Sequence, residues 1–489
     1  MKKLLYTGLI ASSMLLSGCS DFLNVPNTAL ITEADYYKTD NDLFRTLTTS
    51  YSTLGDVRMY SQDYFLQRDL LSDDVYTPEP APDFSNNAQF NFAQESQVIY
   101  GMWERLYKGI RRANNVIKNT PERIINAENV ARAKAEAKVL RAYYYFHMAN
   151  MWRSFPLRTE DNLDEHVVEQ TSREEVMDFI IADLQEVLVE DILPVTNSGE
   201  MYHEKGRVTK GFALSLLGKM FLFESDFANA EKYLKQVIDL NTYSLVEAPE
   251  DIWTIRNKNN EIGNENIFEA QFNAKVGGGS LPWFDDGPTA SEGTLRLLFL
   301  ESNSYGGYLN LIPTEDLINQ YQPGDKRLQA FIRQKGEEII WDPGKIYDKD
   351  QPVIQKGVTS KPEAGGGNDE NFVLMRYADV LLMYAEALIQ QNKNLTDAVK
   401  YIDMVRERAF GVNFNPTNPN SSATVLFKLL REERRRELCF ECHRFQDLRR
   451  WGMLSEVLGD RFKEGKEYYP VPLAEIDKAG GILVQDPNY

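Results

Sequence analysis

The sequence is poor in the residues that staple or metallate a fold: three cysteines and four histidines in 489 residues. They cannot build a disulfide framework and leave little material for metal sites, so stability must come from packing. Basic charge is also in deficit. Lys and Arg number 54 against 73 Asp and Glu, a net charge of −19, which repels phosphate backbones and argues against nucleic acid or an anionic membrane surface as the main partner. Long apolar runs are missing beyond the first residues; none approaches the roughly 20 residues a spanning helix needs. G-x-S-x-G, H-E-x-x-H and G-x-x-x-x-G-K-[ST] are absent as well, which removes the commonest hydrolase, metalloprotease and nucleotide-binding signatures. What the chain does have is 43% hydrophobic and 11% aromatic content. That excludes intrinsic disorder and suffices for one large core or two or three ordinary domains.

The N-terminus reads as an address. Lys2 and Lys3 precede an apolar run from Leu4 to Leu16, the charged and apolar regions of an export signal too short to span as an ordinary helix. Leu16-Ser17-Gly18-Cys19 then resembles the lipobox of bacterial lipoproteins, in which cleavage before the cysteine leaves it lipidated at the new N-terminus. Residues 1–18 are therefore expected to be a signal peptide. Residues 19–40, polar with Asn24, Pro26 and Asn27, are a lipidated tether, and 41–489 a single domain.

Within that domain helical periodicity comes in pairs: Val98 to Lys118 with Ala131 to Met151, Val208 to Glu224 with Phe227 to Asp239, and Leu374 to Gln391 with Asp397 to Ala409. Ala230-Glu231-Lys232-Tyr233 and Ala398-Val399-Lys400-Tyr401 each put a small residue and an aromatic on one face after a polar turn. A small residue lets a partner helix approach and the aromatic fills the adjoining groove, the mechanical need of a tetratricopeptide-like hairpin. An ordinary bundle gives similar patterns. The fold class read here is mainly α: a tetratricopeptide-like helical-hairpin superhelix with a large irregular, loop-rich subdomain and a few short strands. Helical repeats are assigned to about 41–70, 98–240 and 372–455, and irregular ligand-facing segments to about 72–97 and 245–371. Ile267 to Phe272 and Phe372 to Leu374 are the short runs able to pair as strands. Loops longer than about 15 residues in a compact domain are usually functional.

Separated blocks then resemble the SusD/RagB family of outer-membrane nutrient-binding lipoproteins. They are Trp103 to Asn114, Ala135 to Tyr145 leading to Phe155-Pro156-Leu157, Gly206 to Lys210, Met375 to Leu388, Leu430 to Gly452, Tyr468 to Asp477 and Gln485 to Tyr489. The resemblance implies a surface-exposed, lipid-anchored outer-membrane protein on a tetratricopeptide scaffold. It would capture an oligosaccharide, or less often a peptide, for a SusC-like TonB-dependent barrel, without catalysis and without a cofactor.

Two motifs compete with that reading. Cys439-Phe440-Glu441-Cys442-His443 satisfies C-x-x-C-H, the attachment pattern of c-type haem, but it sits in a charged helical block without an evident distal ligand. The family pattern has a glycine where this chain has Cys442. A Cys439–Cys442 disulfide at this spacing would strain a regular helix. Asp73-Asp74 and Asp285-Asp286 could in principle flank a glycosidic bond in a lipid-anchored glycosidase, but with 73 acidic residues chance adjacency is expected, and turn and cap duty is the better explanation. The alternating charges of Arg431 to Glu437 read as a solvated helical face with Glu432–Arg436 and Arg434–Glu437 pairs. Tyr377, Leu381, Tyr384 and Leu388 read as core.

A glycan site needs flat aromatic platforms and hydrogen-bonding partners on exposed loops. Trp283 and Phe284 beside Asp285-Asp286, Tyr305 and Tyr308 around Gly306-Gly307, and Tyr76 and Phe84 with Asn86 and Asn87 are the candidate ligand residues; each either stacks on a sugar or pins its loop to the scaffold. Replacing Cys19 by Ala is expected to give a folded protein that no longer sediments with membranes, because no other segment is apolar enough to hold it there. Membrane association of Cys19→Ala in high salt, without a transporter present, would refute the anchor.

Overall fold

The computed structural model describes residues 39–78, 82–119, 126–196, 206–253, 265–272, 296–358, 368 and 370–489. The main helices are α1 (Asp40–Ser52), α2 (Asp63–Leu70), α3 (Gln97–Asn119), α4 (Ala127–Met151), α5 (Arg173–Glu190), α6 (Lys210–Phe223), α7 (Phe227–Asp239), α8 (Tyr377–Gln390), α9 (Leu395–Phe410), α10 (Ala423–Leu438) and α11 (Arg444–Arg450). Local chemistry sets their starts. Thr39 with Asp42 and Ser172 with Glu175 form capping boxes, and Thr209 and Ser422 cap α6 and α10. The α5 helix was not singled out from periodicity, although Ser172 and Glu175 announce it.

From α3 to α9 each helix packs on the one before and the one after, and α7 against α8 carries the stack across the long excursion between residues 240 and 376. α10 closes on α8 and α9. The small-plus-aromatic pattern works as read: Ala230 and Ala398 are fully buried, Tyr233 stacks on Phe221 at 5.5 Å and 4°, and Tyr401 meets Tyr384 edge-on at 5.2 Å. At the α6–α7 crossing a side chain on Gly218 would collide with Leu234, so close approach demands glycine there. Tyr377, Leu381, Tyr384 and Leu388 are all buried.

The excursion carries most of the short strands: β1 (Val75–Tyr76), β2 (Ser154–Pro156), β3 (Gln170–Ser172), β4 (Asn266–Ala270), β5 (Ile312–Pro313), β6 (Ile332–Arg333), β7 (Val353–Ile354) and β8 (Phe372–Arg376). They form two-stranded antiparallel pairs, β1 with β5, β2 with β3, β4 with β8 and β6 with β7. β4 and β8 are the two runs picked out as strand-like, and they pair with one another.

One expectation is overturned. The Arg431 to Glu437 stretch is not a solvated face: Glu433, Arg434, Arg435, Arg436 and Glu437 are all buried, because partners arrive from distant segments. Glu437 accepts from Arg376 at the end of β8 (2.6 Å), from Arg327 (2.9 Å) and from Arg408 on α9. Arg376 also holds Glu265 (3.0 Å) and Glu441 (2.8 Å), and Lys356 holds Glu441 (2.6 Å). Arg434 pairs with Asp379 and Asp447 rather than with Glu437. Arg436 takes Glu433 at 3.0 Å and reaches Glu432 only at 4.0 Å.

Burial by itself would raise the Glu437 and Glu441 carboxyls, yet their cations outweigh it. Arg408, Arg376 and Arg327 hold Glu437 far below the ordinary range, and Arg376 and Lys356 bring Glu441 down to about 2. Their stabilisation is present above the ordinary glutamate value of about 4.3 and is lost as pH falls below it. Between pH 7 and 4 other groups offset one another: burial raises Asp63 to about 6 and Asp69 to about 7, and it lowers His443 to about 4 and His147 well below the ordinary imidazole range. The melting temperature should therefore hold down to about pH 4.5 and drop steeply below about pH 4. Glu437→Ala, which strands buried arginines, should cost on the order of 3–5 kcal/mol in denaturant unfolding. A loss under about 1 kcal/mol would show that the cluster does not hold the two parts of the fold together.

Candidate functional site

Two loops of the excursion build an aromatic surface. In Tyr305-Gly306-Gly307-Tyr308, Gly306 takes φ +93°, open only to glycine without strain, and a side chain on Gly307 would overlap the Glu301 carbonyl oxygen. The chain thus folds back on the preceding turn: Tyr308 N donates to Leu298 O (2.6 Å), Leu309 N to Glu301 O (2.9 Å) and Asn310 N to Phe299 O (2.7 Å). Leu309, at φ +52°, stores strain at this bend. Beneath it the buried Glu301 carboxylate pairs with Arg333 of β6, whose guanidinium lies 4.9 Å from the Tyr347 ring centroid.

The second loop is a hairpin over 336–347, closed by Gly336 N to Tyr347 O and Tyr347 N to Glu337 O (both 2.8 Å) and turned at Asp342-Pro343-Gly344. Ile339, Tyr347 and Val353 form a small core of their own, on which Tyr305, Leu309 and Trp341 lie half-buried. Tyr305 packs 5.6 Å from Tyr347 and nearly edge-on to Trp341 at 6.3 Å and 75°, donates its hydroxyl to Asp348 (3.1 Å), and has the Lys345 ammonium 4.8 Å from its centroid. Tyr308 rests on Phe299 and is 44% exposed. The Trp341 indole N–H has no acceptor among the described residues. Angled rings with neighbouring polar atoms offer apolar faces to C–H surfaces and a rim to hydroxyls.

Among the sequence candidates, Tyr305 and Tyr308 thus share one loop. Tyr76 lies on β1 opposite Ile312, the residue four beyond Tyr308, and is 46% exposed. Phe84 is half-buried against the main core and serves as a pin for the first irregular segment. Cys19, Trp283 and Phe284 lie outside the described residues, as does Asp285-Asp286. Trp341 was not singled out, yet its signal was the one that marked Trp283: an indole beside a turn sequence, here Asp342-Pro343-Gly344.

The C-x-x-C-H motif is structural. Cys439 and Cys442 are free and buried, with the Cys439 thiol pushed up to about 12 by burial. Phe440 and Cys442 take φ of +63° and +65°, in the left-handed region that favours glycine. The Cys442 N–H donates to Asp69 (3.1 Å), and His443 Nδ1 faces the Lys219 ammonium at 3.2 Å. Cys442 and His443 border a cavity of about 30 Å³ shared with Tyr60, Tyr143, His147 and Lys219, space for water but not for a porphyrin. Asp73 and Asp74 are held by arginines, Asp73 by Arg444 (2.8 Å) and Asp74 by Arg435 (2.7 Å), so this pair is an ion-pair anchor rather than a turn or cap device. No group of three His, Cys, Asp or Glu among the described residues could hold a metal ion.

Gly307→Ala tests how the loop is held. Displacing it from Glu301 should separate Tyr305 from Trp341, altering tryptophan fluorescence, and should lower stability by about 1–3 kcal/mol. An unchanged spectrum would mean that the loop does not need the close approach.

A family model described as the SusD family matches residues 342–470, and one described as starch-binding associating with outer membrane matches residues 68–222. SusD-like protein P25 of Formosa agariphila is 26% identical, the match covering 96% of this chain and 95% of that one. A solved structure named as a laminarin binding SusD-like protein is 26% identical with a TM-score of 0.76, covering 93% of this chain and 100% of the other. The fold of a SusD superfamily protein from Bacteroides vulgatus superposes with a TM-score of 0.79 at 22% identity, covering 93% and 100% of the two chains. Both family models match in chain order, and the chain is similar to SusD-like proteins along nearly its whole length.

Proposed function

We propose that this protein is a lipid-anchored component of the outer membrane, facing the cell exterior, which captures oligosaccharides and delivers them to a SusC-like TonB-dependent barrel. Capture falls to the surface formed by Tyr305, Trp341 and Tyr308, with Tyr76, Trp283 and Phe284 as further candidate contacts. The observation that carries the reading is the aromatic surface on the excursion: two half-buried rings at 75° and an exposed tyrosine, set on glycine turns and a small separate core. It is supported by the 26% identity to a protein named for laminarin binding. The outer-membrane assignment is supported by the lipobox at Cys19 and by the description of the family matched over 68–222. The reading involves no bond-breaking step; Asp73 and Asp74, the carboxylate pair within the described residues, are committed to arginines.

Calorimetry of the mature chain with laminarin oligosaccharides, backed by a glycan array, tests it. Tyr308→Ala and Trp341→Ala should each weaken binding by one to two orders of magnitude, on the order of 1–3 kcal/mol for removing an aromatic anchor. Tyr308→Ala should leave the melting temperature unchanged, since its ring is exposed. Unchanged affinity in both variants would reject this surface as the site, and release of reducing ends from a glycan by the purified protein would reject the purely binding role.

A further inference from the structure

The chain's negative charge is concentrated in the irregular segments, to which the loops of the aromatic surface belong. The irregular segments 72–97, 245–324 and 337–371 hold 25 acidic and 8 basic residues, which is −17 of the total −19. The first of them has five acids and no lysine or arginine. Some of these acids face inward: Asp73, Asp74 and Glu265 are matched by Arg435, Arg444, Arg376 and Arg408 of the scaffold, and the exposed Asp316 also reaches Arg435. The excess stays negative without them.

Around the rings themselves the basic groups among the described residues are paired or buried. On the hairpin segment 335–350, three lysines stand against five acids, and each lysine has an aspartate: Lys335 with Asp350 (2.6 Å), Lys345 with Asp342 (3.4 Å) and Lys349 with Asp348 (3.2 Å). Arg333 is buried beneath Tyr347 against Glu301, its Nε and Nη1 without a hydrogen-bond partner among the described residues, and Lys356 is buried against Glu441. Among the described residues a carboxylate or sulfate on a ligand would find no exposed arginine fork here. At low salt it would also meet like charge within a Debye length of about 10 Å.

We infer that the ligand is an uncharged oligosaccharide, and that the acidic side of the molecule selects against glycans bearing uronate or sulfate. This rests on the aromatic surface being the capture site. The array should carry neutral, uronate-bearing and sulfated glycans, and calorimetry should then compare the best neutral hit with its carboxymethylated derivative at about 10 mM and about 300 mM salt. The neutral glycan should bind equally at both salts. The carboxymethylated form should bind at least ten-fold more weakly at low salt and recover most of that difference at high salt. Asp350→Lys, on the exposed rim, should tighten binding of the charged form at low salt and leave the neutral form unchanged. Equal or tighter low-salt binding of an anionic glycan, abolished by Trp341→Ala, would overturn the charge selection while keeping the site. Failure of every glycan, neutral or charged, would reject the capture surface and this inference with it.

Discussion

The long excursion is seated on the helical stack by a buried cluster of charges around Glu437. Three arginines from three different parts of the chain, Arg327, Arg376 and Arg408, converge on that one carboxylate, and through Glu265, Glu433 and Glu441 the network reaches the excursion, the helical stack and the segment after α10 together. Such a cluster is not needed for net stability, since well-packed apolar groups often serve as well or better. Its value lies in specificity. A misdocked excursion would leave several ions buried without partners, so only one seating of the loops on the helices is tolerated.

The same arrangement explains the division of charge. Arg434, Arg435 and Arg444 of α10 and α11 meet aspartates, while the excursion carries acids in excess along its sequence. The helical scaffold is close to electrically neutral and the loop-bearing side is not. A rigid, neutral frame carrying an acidic, aromatic surface suits capture of sugars by stacking and hydrogen bonding. It is poorly suited to recognition of phosphate or sulfate.

The aromatic surface also depends on what lies beneath it. Tyr305 sits on Ile339, Tyr347 and Val353 apart from the main core, Trp341 bridges that small cluster and the main core, and the loop bearing Tyr305 is held down by the Glu301–Arg333 pair. Half-buried rings on a separate small core are fixed in orientation while keeping a face to solvent, a preorganisation that lowers the entropic cost of binding.

Periodicity determined the pairs α3–α4, α6–α7 and α8–α9, because the apolar stripe of a helix, and the small-plus-aromatic contact of α7 and α9, are local patterns written within four residues; α5 was announced only by its capping box. The strand-like character of β4 and β8 and the glycine turns around Tyr305 were local too. What only tertiary structure decided is where charged side chains end. Arg434 has glutamates within three residues yet pairs with Asp379, 55 residues away, and Asp447; a sequence window sees the near neighbour and reads a solvated face. The aromatics divide for the same reason. Phe84 became a pin while Trp341, unmarked, joined Tyr305, because a ring's exposure depends on which distant segment covers it, and that is fixed by long-range docking rather than by the residues beside it in the chain.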